Sequence, residues 1–383
     1  MNKLLLAAAV VAAAAVSLLL VATRGDSNRT VASAAICPAP APGAVRCYGL
    51  VATNDGGTPV ATSSPTGLSP ATIKSAYNFP TSSTAGTGQT IAIVAAYDDP
   101  TAESDLGVFS SQFGLPACTT ANGCFTKVNQ TGGRAAPQGT DWALEISLDL
   151  QWAHAIAPGA KLLLVEASSS NLPDLLAAED YAKTHARYVT NSWGGPELSD
   201  ESTNDSHFVQ PGVSFFVAAG DDGLPAGYPS ASPNVISVGG TTLNFSNGSF
   251  SSETGWSKGG GGCSAYETAN PAQSLFAGYA QVNCAGKRAT PDLSLDADSA
   301  SGVSVYNSTP YQGQQGWFKA GGTSAASPMV AARSADSGIL VNAATVYGPA
   351  ISYRDVTSGN NGASCLVGFD LCSGRGSWTG SIP

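Results

Sequence analysis

Runs of apolar residues recur through the middle of the chain, and their lengths separate strands from helices. Thr90–Ala96 (TIAIVAA), residues 161–166 (KLLLVE), 188–192 and 213–218 (VSFFVA) are short and almost free of polar interruption. Strands buried on both faces read this way. Between these runs, residues 105–113, 141–155 and Leu172–His185 carry helical spacing. The alternation predicts an α/β fold, doubly wound, with a mainly parallel sheet and helices on both faces. From residue 230 to about 320 the pattern breaks into Gly- and Ser-rich strand-like pieces. A final helix is expected to begin near Ser324, with Pro328 in a first turn that tolerates proline. No internal repeat is visible, and one domain over residues 71–383 accounts for the pattern.

The chain's start reads differently. Lys3 precedes an uninterrupted apolar run over residues 4–22, and Ala32-Ser33-Ala34 offers a small-residue cleavage site. Residues 1–35 are therefore expected to be a signal peptide, with an uncleaved membrane anchor as the alternative. Either one exports the remainder. Residues 36–70 are rich in Pro, Gly, Ser and Thr and read as an extended leader or linker. Eight cysteines fall into four near-neighbour couples: Cys37 and Cys47, Cys118 and Cys124, Cys263 and Cys284, Cys365 and Cys372. An even count in an exported chain reads as disulfides, neighbour pairing being the simplest of the many connectivities.

Composition narrows the function. Charged residues make up only 11% and the net charge is −10. Such a chain has little with which to neutralise nucleic-acid phosphates or an anionic membrane.

Three segments could carry chemistry. Glu145 and Asp149 are four residues apart on the predicted helix 141–155, so they share a face, among apolar neighbours. Two carboxylates so placed repel and should retain a proton; a partly exposed acidic stripe is the plain alternative. Ser324 follows Gly321-Gly322-Thr323 at the mouth of a helix, where its own N–H could help hold an oxyanion, or where it simply caps. Asp221 and Asp222 follow the 213–218 strand, at the carboxyl end where α/β proteins place their sites; an ordinary turn would also use them. The histidines are three: His154, His185 and His207. None has a context suited to a serine's base, so a Ser-His-Asp triad is poorly supplied and a carboxylate base well supplied.

In order, these segments resemble the sedolisin family of serine-carboxyl peptidases, which have a subtilisin-like fold. The resemblance runs from about residue 68 to the C-terminus. It rests on Glu145-x-x-x-Asp149, Asn191-Ser-Trp-Gly-Gly195, Ala219-Gly-Asp-Asp-Gly223, the stretch 228–241, the Gly-rich 255–262, Pro291-Asp-Leu-Ser294 and Gly321-Gly-Thr-Ser-Ala-Ala-Ser-Pro328. It implies Ser324 as nucleophile and Glu145 as general base and acid. Asp149 would orient Glu145 and share its proton, Asp221 would be the oxyanion acid, and Trp193 would support the carboxylates. It also implies a Ca²⁺ site built from the carboxylates of Asp355 and Asp370 and the carbonyls of Val356, Leu366 and Gly368. Such hard oxygen donors suit that ion, although an Asx-rich loop stapled by Cys365 and Cys372 is the plain alternative, and Leu366 stands where the family usually has Gly.

The expected molecule is thus a secreted monomer acting on proteins or peptides at acidic pH, without nucleic-acid or membrane partners. A conventional Ser-His-Asp protease and an inactive exported binding protein of the same fold are the competing readings. The family is usually made with a large pro-domain that blocks its site; here about 35 to 50 residues separate the signal from the core. The stretch 331–354 is short for the family and matches it poorly.

Overall fold

The computed structural model describes residues 32–134, 136–137 and 139–380. The expected signal segment falls outside the described residues up to position 31. Three short strands come first, β1 (Ser33–Ala35), β2 (Arg46–Cys47) and β3 (Leu50–Ala52), followed by helix α1 (Pro70–Tyr77). Then strands and helices alternate: β4 (Thr90–Ala96), α2 (Ala102–Phe113), β5 (Phe125–Asn129), α3 (Thr140–Ile156), β6 (Lys161–Ala167), α4 (Leu172–His185) and β7 (Tyr188–Asn191). Next come β8 (Trp193–Pro196), β9 (Ser214–Ala218), β10 (Gly227–Tyr228), β11 (Ile236–Ser246), β12 (Ser249–Gly255) and β13 (Gly262–Thr268). After them lie α5 (Pro271–Ser274), β14 (Lys287–Thr290), β15 (Leu293–Asp296), β16 (Val303–Tyr311) and β17 (Gln314–Gly321). The chain closes with α6 (Thr323–Ser337), α7 (Ala343–Tyr347), β18 (Tyr353–Arg354) and β19 (Ser377–Trp378).

A ten-stranded sheet runs in the order β18-β19-β15-β11-β9-β7-β4-β6-β5, with β12 paired on β11. From β5 to β19 the neighbours are parallel; only β12 and β18 pair antiparallel. Residues 91–96 of β4 are all 0% exposed, as a strand covered on both faces must be. Burying each of its Ile and Val side chains is worth about 1.5–3 kcal/mol. α3 and α4 both pack on β4 and β6 and make no extensive contact with each other, so they cover opposite faces. The expected α/β architecture is what the molecule has.

α3 is buried around its whole circumference from Trp142 to Ile156, its polar residues Glu145, Ser147, Asp149, Gln151 and His154 included, between the sheet, α2, α6 and the β16–β17 hairpin. All four neighbour disulfides are formed: Cys37–Cys47, Cys118–Cys124, Cys263–Cys284 and Cys365–Cys372.

Three expectations need correction. The stretch 36–70 is not an extended linker: β1 pairs with β3, β3 with β17 and β2 with β8, and Ile36, Cys47, Tyr48 and Val51 are buried. The expected cleavage site runs into β1 as a result. Pro328 lies inside α6, beyond its first turn. A proline there cannot donate to the carbonyl of Ser324, and the Ser192 hydroxyl approaches that oxygen instead, at 3.5 Å. Nor is α6 the last helix, since α7 follows it.

Candidate active site

Four elements converge at one end of the sheet. α3 and α6 pack side by side on it, bringing Glu145 and Asp149 toward Ser324, the second residue of α6. β9 ends at Ala218, and the turn beyond it delivers Asp221 to the N-terminus of α6. β7 leads directly into Ser192. Glu145, Asp149, Asp221 and Ser324 are exposed by 0%, 1%, 4% and 0% respectively.

Each acid is held differently. Asp149 accepts the Ser192 hydroxyl at 2.8 Å through Oδ1, and its Oδ2 has no partner. Asp221 Oδ1 accepts both the backbone N–H and the hydroxyl of Thr323, at 2.8 and 2.9 Å, while its Oδ2 has none. Thr323 in turn takes the N–H of Gly220 at 3.1 Å, which fixes the turn to the helix. Both oxygens of Glu145 lack a well-aligned hydrogen bond. The hydroxyl of Ser324 points at the Ser192 carbonyl, 3.3 Å away.

Burial dominates the electrostatics. It pushes Glu145 well above the usual carboxyl range; Asp149, and more weakly Asp221, push it further, and the neighbouring Ser324 hydroxyl eases it back. Asp149 is raised by burial and eased by Ser192. Asp221 is pushed up to about 7 by burial, against the opposing pull of its Thr323 bonds. Three buried acids with open oxygens lie close to Ser324: Glu145 beside its hydroxyl, Asp221 on the preceding Thr323, and Asp149 on Ser192. Such a cluster holds protons where isolated carboxylates would have lost them.

The histidines are occupied elsewhere. His154 Nε2 meets the Pro116 carbonyl at 2.8 Å, and burial lowers its pKa, against the opposing pull of that bond. His185 stacks on Tyr181, and His207 bonds Asp180 at 2.9 Å. The arrangement offers no imidazole to Ser324. Trp193 departs from expectation too: its indole N–H donates to the Val94 carbonyl at 3.1 Å, not to a carboxylate.

Comparison with known proteins bears on the fold as a whole. The subtilase family model matches residues 125–337. A solved structure of Pseudomonas sedolisin, a serine-carboxyl proteinase complexed with two molecules of pseudo-iodotyrostatin, aligns over 82% of this chain and 96% of its own, at 30% identity and a TM-score of 0.69. This chain belongs to the sedolisin family. Kumamolisin of Bacillus sp. (strain MN-32) is 31% identical over 367 residues, which cover 82% of this chain. Xanthomonalisin of Xanthomonas sp. (strain T-22) is 31% identical over 356 residues, covering 72% of it. Of those two relatives' own lengths, this sedolisin-family chain spans 62% and 41%. A psychrophilic protease, S41, shares the fold at 19% identity and a TM-score of 0.56.

The residues read from sequence as a sedolisin-like set, Glu145, Asp149, Asp221 and Ser324, are thus gathered in one place. Ser192 and Thr323, which hold two of the acids, were not singled out, although both lie inside the quoted motifs. Their signal is position: each is a hydroxyl next to a functional segment's turn.

The C-terminal residues also assemble. Asp355 accepts the Gly368 N–H at 2.9 Å and Asp370 the Leu366 N–H at 2.6 Å, so both carboxylates lie on one loop. Asp370 also takes the N–H groups of Cys372 and Ser373. The donor set is all hard oxygen, which suits Ca²⁺ in kind. Cys365 and Cys372 beside it are joined to each other and are not available as ligands.

Proposed function

We propose that this chain is an exported peptidase that hydrolyses peptide bonds in proteins at acidic pH through a serine nucleophile served by carboxyl groups. One observation carries the reading: three buried acids, each with an unpartnered oxygen, gather at buried Ser324, directly or through the neighbouring Thr323 and Ser192. Glu145 takes the Ser324 proton as the oxygen attacks the substrate carbonyl, and returns it to the leaving amine. Asp149 shares a proton with Glu145 and, held by Ser192, keeps it oriented. Asp221 donates its own proton to the tetrahedral oxygen, together with the N–H of Ser324. An ionised Asp221 would repel that oxygen, so the rate should fall as pH rises through about 7. Four disulfides favour an oxidising, extracellular setting.

The test is a pH–rate profile on a protein substrate, with Ser324→Ala as control. Activity confined to acidic pH and lost in the variant is expected. A profile peaking above about pH 8, far from any carboxyl's ordinary range, overturns the assignment.

We also propose that Ca²⁺ is held by the carboxylates of Asp355 and Asp370 with the carbonyls of Val356, Leu366 and Gly368. Bound there, the ion would tie the C-terminal loop together, away from the chemistry. A chelator should lower the melting temperature by several degrees, and added Ca²⁺ should restore it. An unchanged melt removes the ion from the reading.

A further inference from the structure

A second cluster of acids lies behind one wall of the active-site cleft, and the chemistry at Ser324 does not use it. β8 forms that wall: Gly194, Gly195 and Pro196 line a depression that Asp221 and Gly227 also line. On the edge of β8 away from β2, β10 pairs with it, Gly227 opposite Pro196 and Tyr228 opposite Gly195. Glu197 follows β8 directly. The Ser264 hydroxyl and the Ala265 N–H, the latter at 2.9 Å, donate to its two oxygens and tie β8 to β13. Ser264 also accepts the Glu267 N–H at 2.7 Å. A 3₁₀ helix, Glu201–Phe208, packs against β13. Its Glu201 accepts the Leu198 N–H at 2.6 Å through Oε2, and its Asp205 accepts the Tyr228 hydroxyl at 3.3 Å.

The four carboxyl groups meet in pairs, Glu201 with Glu197 and Glu267 with Asp205. Glu201 and Glu267 are 0% and 4% exposed, and among the described residues Oε1 of each has no hydrogen-bond donor. Two carboxyl groups can bond to each other only while a proton lies between them. The surrounding charges do little to replace that proton. Lys287 of β14 acts on Glu267, but its ammonium is held by the Tyr266 carbonyl at 2.9 Å. Arg288 of β14 is paired with Asp292. From α4, Asp180 takes both Lys183 and His207, at 2.6 and 2.9 Å. Burial raises Glu201 above the usual carboxyl range, and Glu197 and Glu267 add to it against the pull of the Leu198 N–H. Burial, and then Asp205, push Glu267 up to about 7, against Lys287. Asp205 is raised by burial and eased by Ser232, Tyr228 and Glu267. Tyr228 is raised by burial, so its hydroxyl stays a donor.

We propose that Glu197, Glu201, Asp205 and Glu267 form a proton-held clamp on the substrate-binding wall, so that peptides bind well only while the clamp keeps its protons. The four are positioning residues: they stand behind β8 and reach the cleft only through it. When the protons leave, the like charges of each pair repel. β13 and the 3₁₀ helix then part from β8, and the depression loses the shape that β8 and β10 give it. The proposal rests on the serine-carboxyl reading above. It adds a second control by pH, exerted on binding, to the one that Asp221 exerts on the chemical step.

The experiment compares the wild-type chain with the double variant Glu201→Gln, Glu267→Gln. An amide keeps a donor in each pair at every pH, so this variant holds the clamp shut. KM and kcat for an added peptide are measured from about pH 4 to pH 8, the range over which the acids titrate. The wild-type KM should rise about tenfold for each pH unit above about 7, as a proton is lost. The variant's KM should stay level while its kcat falls as in the wild type. A wild-type KM that does not rise, or a variant KM that rises with it, overturns the inference and leaves the peptidase reading standing. A second measurement needs no catalysis. In Ser324→Ala, amide protection over residues 201–208 and 262–268, corrected for intrinsic exchange, should drop over the same rise in pH. Level protection overturns the clamp even where the double variant does not fold. A folded wild-type chain that cuts no peptide at any pH overturns the peptidase reading and, with it, the clamp's role in binding.

Discussion

Around Arg288 and around Ser324 the protein buries ionisable groups almost completely and treats them in opposite ways. Arg288 and Asp292 are 2% and 1% exposed. The guanidinium grips both oxygens of Asp292, at 2.7 and 2.5 Å. The Tyr347 hydroxyl and the Ser237 N–H complete the carboxylate's shell. Around Ser324 the acids face one another with no cation in the first ring of contacts, and four of their oxygens have no partner. Charge with its partner in place is architecture. Acid without one is held protonated by its surroundings and is free to give or take that proton.

Exchanging the two behaviours by mutation gives the largest effects. Glu145→Gln should lower kcat/KM by about 10⁴-fold, the upper range for loss of a general base, and leave the melting temperature level or higher. Asp292→Ala should do the reverse. It strands a buried guanidinium, costs about 3–5 kcal/mol and leaves the activity of the molecules still folded unchanged. Calorimetry beside steady-state kinetics decides this. A Glu145→Gln protein that melts early and keeps its kcat would erase the distinction.

A second consequence concerns stability against pH. Below about pH 4, Asp221 is protonated in both the folded and the unfolded chain. Between there and about 7 the unfolded chain gives up this proton while the folded chain keeps it, so the folded state loses ground as pH rises. From the ordinary value of 3.8 to about 7, the loss is about 4 kcal/mol at most. Glu145 and Asp149 act in the same direction. The wild-type melting temperature should therefore fall from pH 4 to pH 7, and less steeply in Asp221→Asn. A melt that climbs over that interval would mean the acids are not buried as described.

What could be read from sequence follows from how local its cause is. β4, β6 and β9 announce themselves because a strand covered on both faces has to be apolar throughout. Glu145 and Asp149 are legible because helical spacing alone puts them on one face. The segment at 45–52 was not, and the reason is physical. Its burial comes from ladders to β8 and β17, more than a hundred residues away, and nothing in its Pro- and Gly-rich flanks encodes those partners. The one trace was the Cys37 and Cys47 couple, which closes a loop that a flexible linker has no need of. Pro328 misled for a related reason: its place inside α6 is tolerated because Ser192, brought in by β7, approaches the freed carbonyl.

Trp193 supplies the smallest and sharpest probe of the contrast. It stands next to Ser192 and is wholly buried, so proximity alone would enrol it among the groups that tune the acids. Its indole N–H is instead spent on the Val94 carbonyl of β4. Trp193→Phe removes that one bond to a buried carbonyl, which costs about 0.5–1.5 kcal/mol of stability, with a small further loss from packing. Because no carboxylate loses a donor, the pH at which activity falls should not move. Profiles of the two proteins, scaled to their maxima, should superimpose. If the variant's alkaline limb shifts by half a pH unit or more, the indole acts on the acids through the backbone it anchors, and the boundary between structural and proton-carrying groups lies further out than the hydrogen bonds indicate.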